Sequence, residues 1–149
     1  MKKHAFIFNP GTWVGEGKIT FSASPEHLRF YTRWTLEHKE ENQRDEFLCK
    51  QQVESVSGEE AVYNQFRIYD VTDKTFKIDL SNNLVGVVHG TGVIDDSTIA
   101  WEFRTGSAIE GFEVYEIQEN GDYMVHAEYT SNDQFRTIID GRIWPKSQT

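Results

Sequence analysis

The chain has 149 residues, 38% of them hydrophobic, 13% aromatic and 26% charged, which fits one domain able to bury about two-thirds of its unfolded surface without a disulfide or metal staple. Its formal charge is −9, from 15 Lys and Arg against 24 Asp and Glu, so it lacks the basic track that a phosphate backbone or an anionic membrane surface requires, and neither nucleic acid nor membrane is an expected partner. Cys49 is the only cysteine, which excludes an internal disulfide, and the apolar run Ala5 to Phe8 is too short for a secretory signal; with no stretch near the roughly 18 apolar residues of a membrane span, a soluble cytoplasmic protein is the expectation.

Alternation of apolar and polar residues at period 2 dominates the chain and predicts strands almost throughout. A first strand near Thr12 to Phe21 puts Trp13, Gly15, Gly17, Ile19 and Phe21 on one face, opposite Val14, Glu16, Lys18 and Thr20. A second, about Leu28 to His38, places Phe30, Thr32, Trp34 and Leu36 inside, and the charged run Lys39 to Asp45 reads as a hairpin tip. In a third, near Glu46 to Val56, Phe47 and Leu48 compete for the inner face. After the turn at Ser57 to Glu60, a fourth strand aligns Val62, Asn64, Phe66 and Ile68, and a fifth carries Phe76, Ile78 and Leu80.

A sixth strand, about Leu84 to Ile94, presents Val85, Val87, His89, Thr91 and Val93 on one face and Gly86, Gly90 and Gly92 on the other. The valine face is the predicted interior, with the glycines marking bulges or close backbone approach. Ile99, Trp101 and Phe103 define the next inner face. Phe112 to Gln118 and Tyr123 to Tyr129 form a hairpin around Asn120-Gly121, a strong turn signal. In the ninth strand Tyr123, Val125, Ala127 and Tyr129 oppose Met124, His126 and Glu128; the last, Phe135 to Trp144, sets Phe135, Thr137, Ile139 and Ile143 against Arg136, Ile138, Asp140 and Arg142. Short turns imply antiparallel neighbours. Closure of about 8–10 strands into an all-β, up-and-down barrel removes both edges, with a flattened sandwich as the alternative.

The opening Asn9-Pro10-Gly11-Thr12-Trp13-Val14-Gly15-Glu16-Gly17 resembles the start of calycin barrels, the lipocalin, fatty-acid-binding and nitrobindin-like group. There a Gly-x-Trp begins the first strand and the Trp plugs one end of the barrel. The resemblance implies that an Arg of the last strand packs over that indole as a cation–π pair; of Arg136 and Arg142, Arg142 is favoured over Trp13. It also brings in haem as a candidate cofactor, ligated by a barrel histidine, either His89 or the late-strand His126. Ser22 to His27 is too short for the helix pair of fatty-acid-binding proteins.

Candidate ligand-binding residues follow from the predicted inner faces. Trp34, Phe66, Trp101, Phe103, Tyr123 and Tyr129 either line a cavity or fill a solid core, while Asn64 and His89 are among the polar groups that would orient a ligand. His4, His27 and His38 lie at ends or turns and read as surface. Gly90-Thr91-Gly92 lacks the third glycine of a dinucleotide loop, Gly106-Ser107-Ala108 is no nucleophile elbow, and Asp95-Asp96 reads as a solvated turn. No motif specifies a reaction or a metal site. A barrel binding a small apolar or aromatic ligand therefore leads. The alternatives are a haem-binding or small-molecule enzyme using His89, and a solid interaction module displaying Tyr31, Tyr63, Tyr69 and Arg67. Homodimerisation stays open.

Overall fold

The structure is a computed structural model that describes residues 4–22, 24–41, 44–56, 61–83, 85–104, 109–131 and 136–146. Among the described residues the chain forms ten strands and no helix. They are β1 (Gly11–Phe21), β2 (His27–Glu41), β3 (Arg44–Ser55), β4 (Val62–Tyr69), β5 (Thr75–Asn82), β6 (Gly86–Ile94), β7 (Thr98–Phe103), β8 (Ile109–Ile117), β9 (Tyr123–Ser131) and β10 (Arg136–Pro145). Each strand pairs antiparallel with the next, and β10 returns to pair with β1 from Trp13–Pro145 to Phe21–Thr137. The sheet is a closed up-and-down barrel, as the short turns and lack of helical periodicity imply, and not a sandwich.

Most predicted faces hold. The inner positions Trp34, Phe66, Ile78 and Trp101 are buried on β2, β4, β5 and β7, and the Asn120-Gly121 hairpin turns with Gly121 at φ 92°, a conformation that favours glycine. On β3, Phe47 and Cys49 take the interior. The charged segment expected as a tip is largely paired, with β2 and β3 in register through Lys39–Glu46. Phe135 and the turn at 57–60 lie outside the described residues.

β6 is reversed. Val87 and Val93 are 63% and 57% exposed, His89 also faces out, and the interior positions are Val88, Gly90 and Gly92. The reason is ring volume on neighbouring strands. Gly92 sits in register with Phe76 and Gly90 with Phe103; a Cβ on Gly92 would overlap the Phe76 ring, and one on Gly90 would come within 2.7 Å of Phe103 Cδ1. The same arrangement recurs where Gly17 meets Phe30 and Gly111 meets Tyr129. These glycines are inside because large rings occupy the space their side chains would take.

The other departure is the segment before β1. Phe6, Ile7 and Phe8 make one tight turn, closed by Asn9 N–H to Ala5 C=O at 3.2 Å, and plug one end of the barrel. Phe6 and Ile7 have no exposed surface. The Phe6 ring touches four aromatic rings: Trp13 at 5.4 Å, Trp34 at 5.2 Å, Tyr115 at 4.9 Å and Tyr123 at 5.6 Å between centroids. Phe8 meets Phe47 and Phe76 edge-on across the same mouth. His4, expected at the surface, is buried beside them. Its Nε2–H donates to the Asp95 carbonyl, and its Nδ1 shares a hydrogen bond with the Tyr123 hydroxyl, both at 2.6 Å.

Trp13 is buried at the plugged end, where Phe6 and Tyr123 hold it edge-on at 5.4 and 5.5 Å. Arg142 does not. It pairs in register with Glu16, one of the outward positions of β1, so alternation turns it outward, where its guanidinium lies 5.0 Å from the Trp144 ring centroid.

Two stability measurements follow. Replacing Phe6 by alanine empties the centre of the plug and is expected to lower the unfolding free energy by about 3–5 kcal/mol in urea titrations. Gly92→Ala, although it adds one methyl group, is expected to cost about 1–3 kcal/mol because Phe76 must leave its place; a neutral result would contradict the ring-over-glycine packing.

Candidate functional site

Aromatic packing fills the barrel from the plug inward and then stops. Trp34 stacks on Phe66 at 5.3 Å, and Trp101 on Tyr115 at 4.9 Å. Beyond this layer lies an interior cavity of about 220 Å³. Trp34, Phe30, Phe66, Leu80 and Ile143 supply apolar walls, and Thr32, Gln51, Asn64, Asn82, Glu113, Tyr115 and Tyr129 supply polar atoms. A larger hollow of about 970 Å³ lies outside the plug. Its walls are mostly turn residues, and its buried polar side chain, His4, spends both ring nitrogens on Tyr123 and Asp95.

The polar atoms of the interior cavity form two groups. On β2 to β5, Asn82 Nδ2 donates to Asn64 Oδ1 at 2.9 Å, Asn64 Nδ2 to Gln51 Oε1 at 2.9 Å, and Gln51 Nε2 to Thr32 Oγ1 at 3.3 Å. This relay satisfies amides that alternation places on an inner face. On β8 and β9, Glu113 points inward and is buried. The Tyr115 hydroxyl donates to its Oε1 at 2.6 Å, and the Tyr129 hydroxyl donates to its Oε2. The buried indole N–H of Trp101 has no hydrogen-bond partner among the described residues, yet it adjoins the Glu113 carboxylate closely enough to favour its charge.

Burial pushes the Glu113 carboxyl above the ordinary carboxylate range, and the hydrogen bonds from Tyr115 and Tyr129 hold back part of that rise. Both phenols are raised well above their usual value, first by burial and then by the neighbouring Glu113. Cys49 is pushed up to about 12 by burial, which leaves it an inert core thiol.

Of the candidate ligand residues, Trp34, Asn64, Phe66 and Tyr129 line the cavity. Trp101 lies behind it, stacked on the lining Tyr115. Phe103 is buried against the Gly90 backbone, and Tyr123 belongs to the plug. His89 is not an interior residue: its side chain is 74% exposed and its Nδ1 pairs with Asp79 Oδ1 at 2.7 Å on the outer face. His126 also faces out, bonding Asp140 at 2.6 Å and Glu128 at 2.8 Å. Those two acids, Asp140 first, raise its pKa. His27 and His38 are exposed, so no histidine of the chain faces the cavity. The interior therefore does not fit a haem ligated by histidine. Among the described residues no three His, Cys, Asp or Glu side chains converge as a metal site. Outward, Tyr31 and Tyr63 are exposed, but Tyr69 is tied to Asp79 at 3.1 Å with Arg67 over its ring.

Glu113 and Gln51 carried no sequence signal for an interior role. Glu113 stands between Phe112 and Val114, which hydrophobicity alone would turn inward, yet Phe112 is 37% exposed. Only the pairing of β8 with β9, which sets Gly111 opposite Tyr129, fixes the register that turns Glu113 inward.

No protein-family profile matches the chain, and no curated protein matches it in sequence. Its structure is similar to that of an S-type phycobiliprotein lyase, CPES, from Guillardia theta, with a TM-score of 0.71 at 10% identity over 95% of this chain and 90% of that one. The likeness is one of fold. The monomer form of the M. tuberculosis PknI sensor domain aligns over 93% of this chain and 88% of that one, at 10% identity and a TM-score of 0.41, which is too low to bear on the argument.

Because the folded protein holds the Glu113 proton more tightly than the unfolded chain, stability contributed at this site is full below the ordinary glutamate value near ~4.3 and is lost as pH rises toward the raised folded value. Urea unfolding across pH is expected to show wild-type stability falling relative to Glu113→Gln through that interval and levelling above it. A constant difference between the two proteins would contradict a Glu113 carboxyl raised by burial.

Proposed function

We propose that this barrel binds a small, planar, largely apolar molecule in its interior cavity. The observation that carries the reading is the cavity itself: a space of about 220 Å³ where aromatic packing ends and buried polar groups converge. A protein of this length can pack its core solidly, and leaving such a space unfilled costs stability in proportion to its volume. Aromatic walls with a few fixed polar groups are the usual composition of a small-molecule site.

Size narrows the ligand. Drug-sized sites begin near ~300 Å³, and a cavity of ~150 Å³ holds benzene, so the space suits one or two fused rings better than a tetrapyrrole. The described residues toward the end opposite the plug, including Ile19, Val53, Asn64 and Ile139, are only partly buried, which supports entry from that side. No helix is long and apolar enough to cross a membrane, and the outer face carries charged pairs such as Arg67–Glu46 and Lys77–Asp70. That distribution supports a barrel with water outside and its ligand within. The fold neighbour is by name a lyase of phycobiliproteins; a barrel used to handle a small group fits that neighbourhood, while the reading for this chain rests on its own cavity.

Native mass spectrometry of freshly purified protein, followed by calorimetric titration with indole, tests the reading. Binding to the wild type and at least tenfold weaker binding to Val53→Phe, with an unchanged circular dichroism spectrum, is the expected result. Equal affinity in the filled variant would place the ligand elsewhere, and the absence of both a co-purifying mass and indole binding would overturn the reading.

A further inference from the structure

We infer that the cavity selects a ligand presenting a cationic or N–H donor edge, an amidinium or protonated heteroaromatic amine, through Glu113 and the two phenols that converge on it. The inference rests on the proposed ligand-binding reading and adds to it the chemical class of the occupant.

Tyr115 and Tyr129 each have one hydroxyl hydrogen, and both are spent on Glu113. What the phenol oxygens have left is lone pairs. Beside a bound cation the Glu113 carboxyl gives up its proton to solvent; the carboxylate then offers about four acceptor positions, and the two phenols occupy one on each oxygen. At this end of the cavity, then, Glu113, Tyr115 and Tyr129 present acceptors and no spare donor. The Trp101 indole N–H also lies beside the carboxylate without another partner, so three donors surround Glu113 from the protein side. That arrangement favours a negative charge on a side chain that lines the cavity.

The opposite wall agrees. The amides of Asn82, Asn64 and Gln51 each pass one N–H along the relay toward Thr32, so half of their donor capacity is spent within the wall. Around the cavity stand the faces and edges of Trp34, Phe30 and Phe66. Aromatic walls favour a cation by their negative faces, the more so once water is excluded. A buried carboxylate is costly alone and is compensated by an opposite charge held at hydrogen-bond distance. An anionic ligand would meet the Glu113 carboxylate directly, because the guanidinium of the lining Arg142 is turned toward Trp144 and Asp122, and the net charge of −9 would oppose its approach.

Three probes of equal size separate the possibilities: benzamidinium, neutral benzamide and benzoate, titrated calorimetrically into the full chain. The expected order is benzamidinium at least tenfold tighter than benzamide, with benzoate weakest, and the preference for benzamidinium abolished in Glu113→Gln while indole still binds. Tyr129→Phe, which keeps the ring and removes one acceptor, is expected to narrow the preference severalfold and serves if Glu113→Gln does not fold. Benzamide or benzoate binding as well as benzamidinium would overturn the inference and leave the cavity reading standing. Failure of all three probes and of indole would remove both.

Discussion

Closing ten antiparallel strands on themselves fixes the width of the interior, and the rest of the molecule answers that constraint. A barrel of about eight strands is just wide enough for its own side chains to fill; with ten, aliphatic side chains no longer meet across the middle. This chain fills the width with rings. Trp34, Phe66, Trp101 and Tyr115 cross the centre in two stacked pairs, and Phe6 enters from outside the sheet to complete the layer. Four further rings, Phe30, Phe76, Phe103 and Tyr129, leave no room for side chains opposite, so glycine occupies the facing positions on β1, β6 and β8. The ring–glycine pairs and the plug are two solutions to one geometric demand.

The solution is uneven along the barrel axis. At the plugged end the interior is dry, dense and closed by His4, whose ring nitrogens tie the plug to β9 and to the turn after β6. Toward the other end aromatic packing gives way to amides, a carboxylate and phenols. Glu113 sits at the boundary. It is deep enough for burial to raise its pKa, yet it lines the open space. A buried carboxyl with two phenol partners contributes little to stability compared with an apolar residue of the same volume.

The architecture was legible in the sequence because alternation in β1, β2, β4, β5, β9 and β10 places hydrophobic and polar residues on opposite faces. It misled in β6, where hydrophobicity follows the valines while volume follows the glycines; volume decides, since Phe76 and Phe103 already occupy the interior. Half of the candidate cavity wall, Trp34, Asn64, Phe66 and Tyr129, could be read from strand faces. Glu113 could not, because a single acidic residue between Phe112 and Val114 reads as the solvent side. The plug was hidden for another reason: three apolar residues with no period carry no local signal, and their burial depends on rings supplied by β1, β2, β3, β5, β8 and β9. Arg142 shows the limit of borrowing a contact from a resemblance, since the register of β10 with β1 turns its side chain away from Trp13.

The seam between β1 and β10, together with the plug, joins the earliest described part of the chain to the latest. His4 and Tyr123 are 119 residues apart in sequence yet share a buried hydrogen bond. During synthesis on the ribosome the aromatic residues of the plug precede their partners on β8 and β9 by more than a hundred residues, and no subset of strands before β10 can complete the ring. Such long-range pairing is slow to form and leaves apolar surface uncovered meanwhile. For a cell making this protein, the vulnerable period is the interval before the last strand is released, when a chaperone able to cover Phe6 and Phe8 has the most to protect.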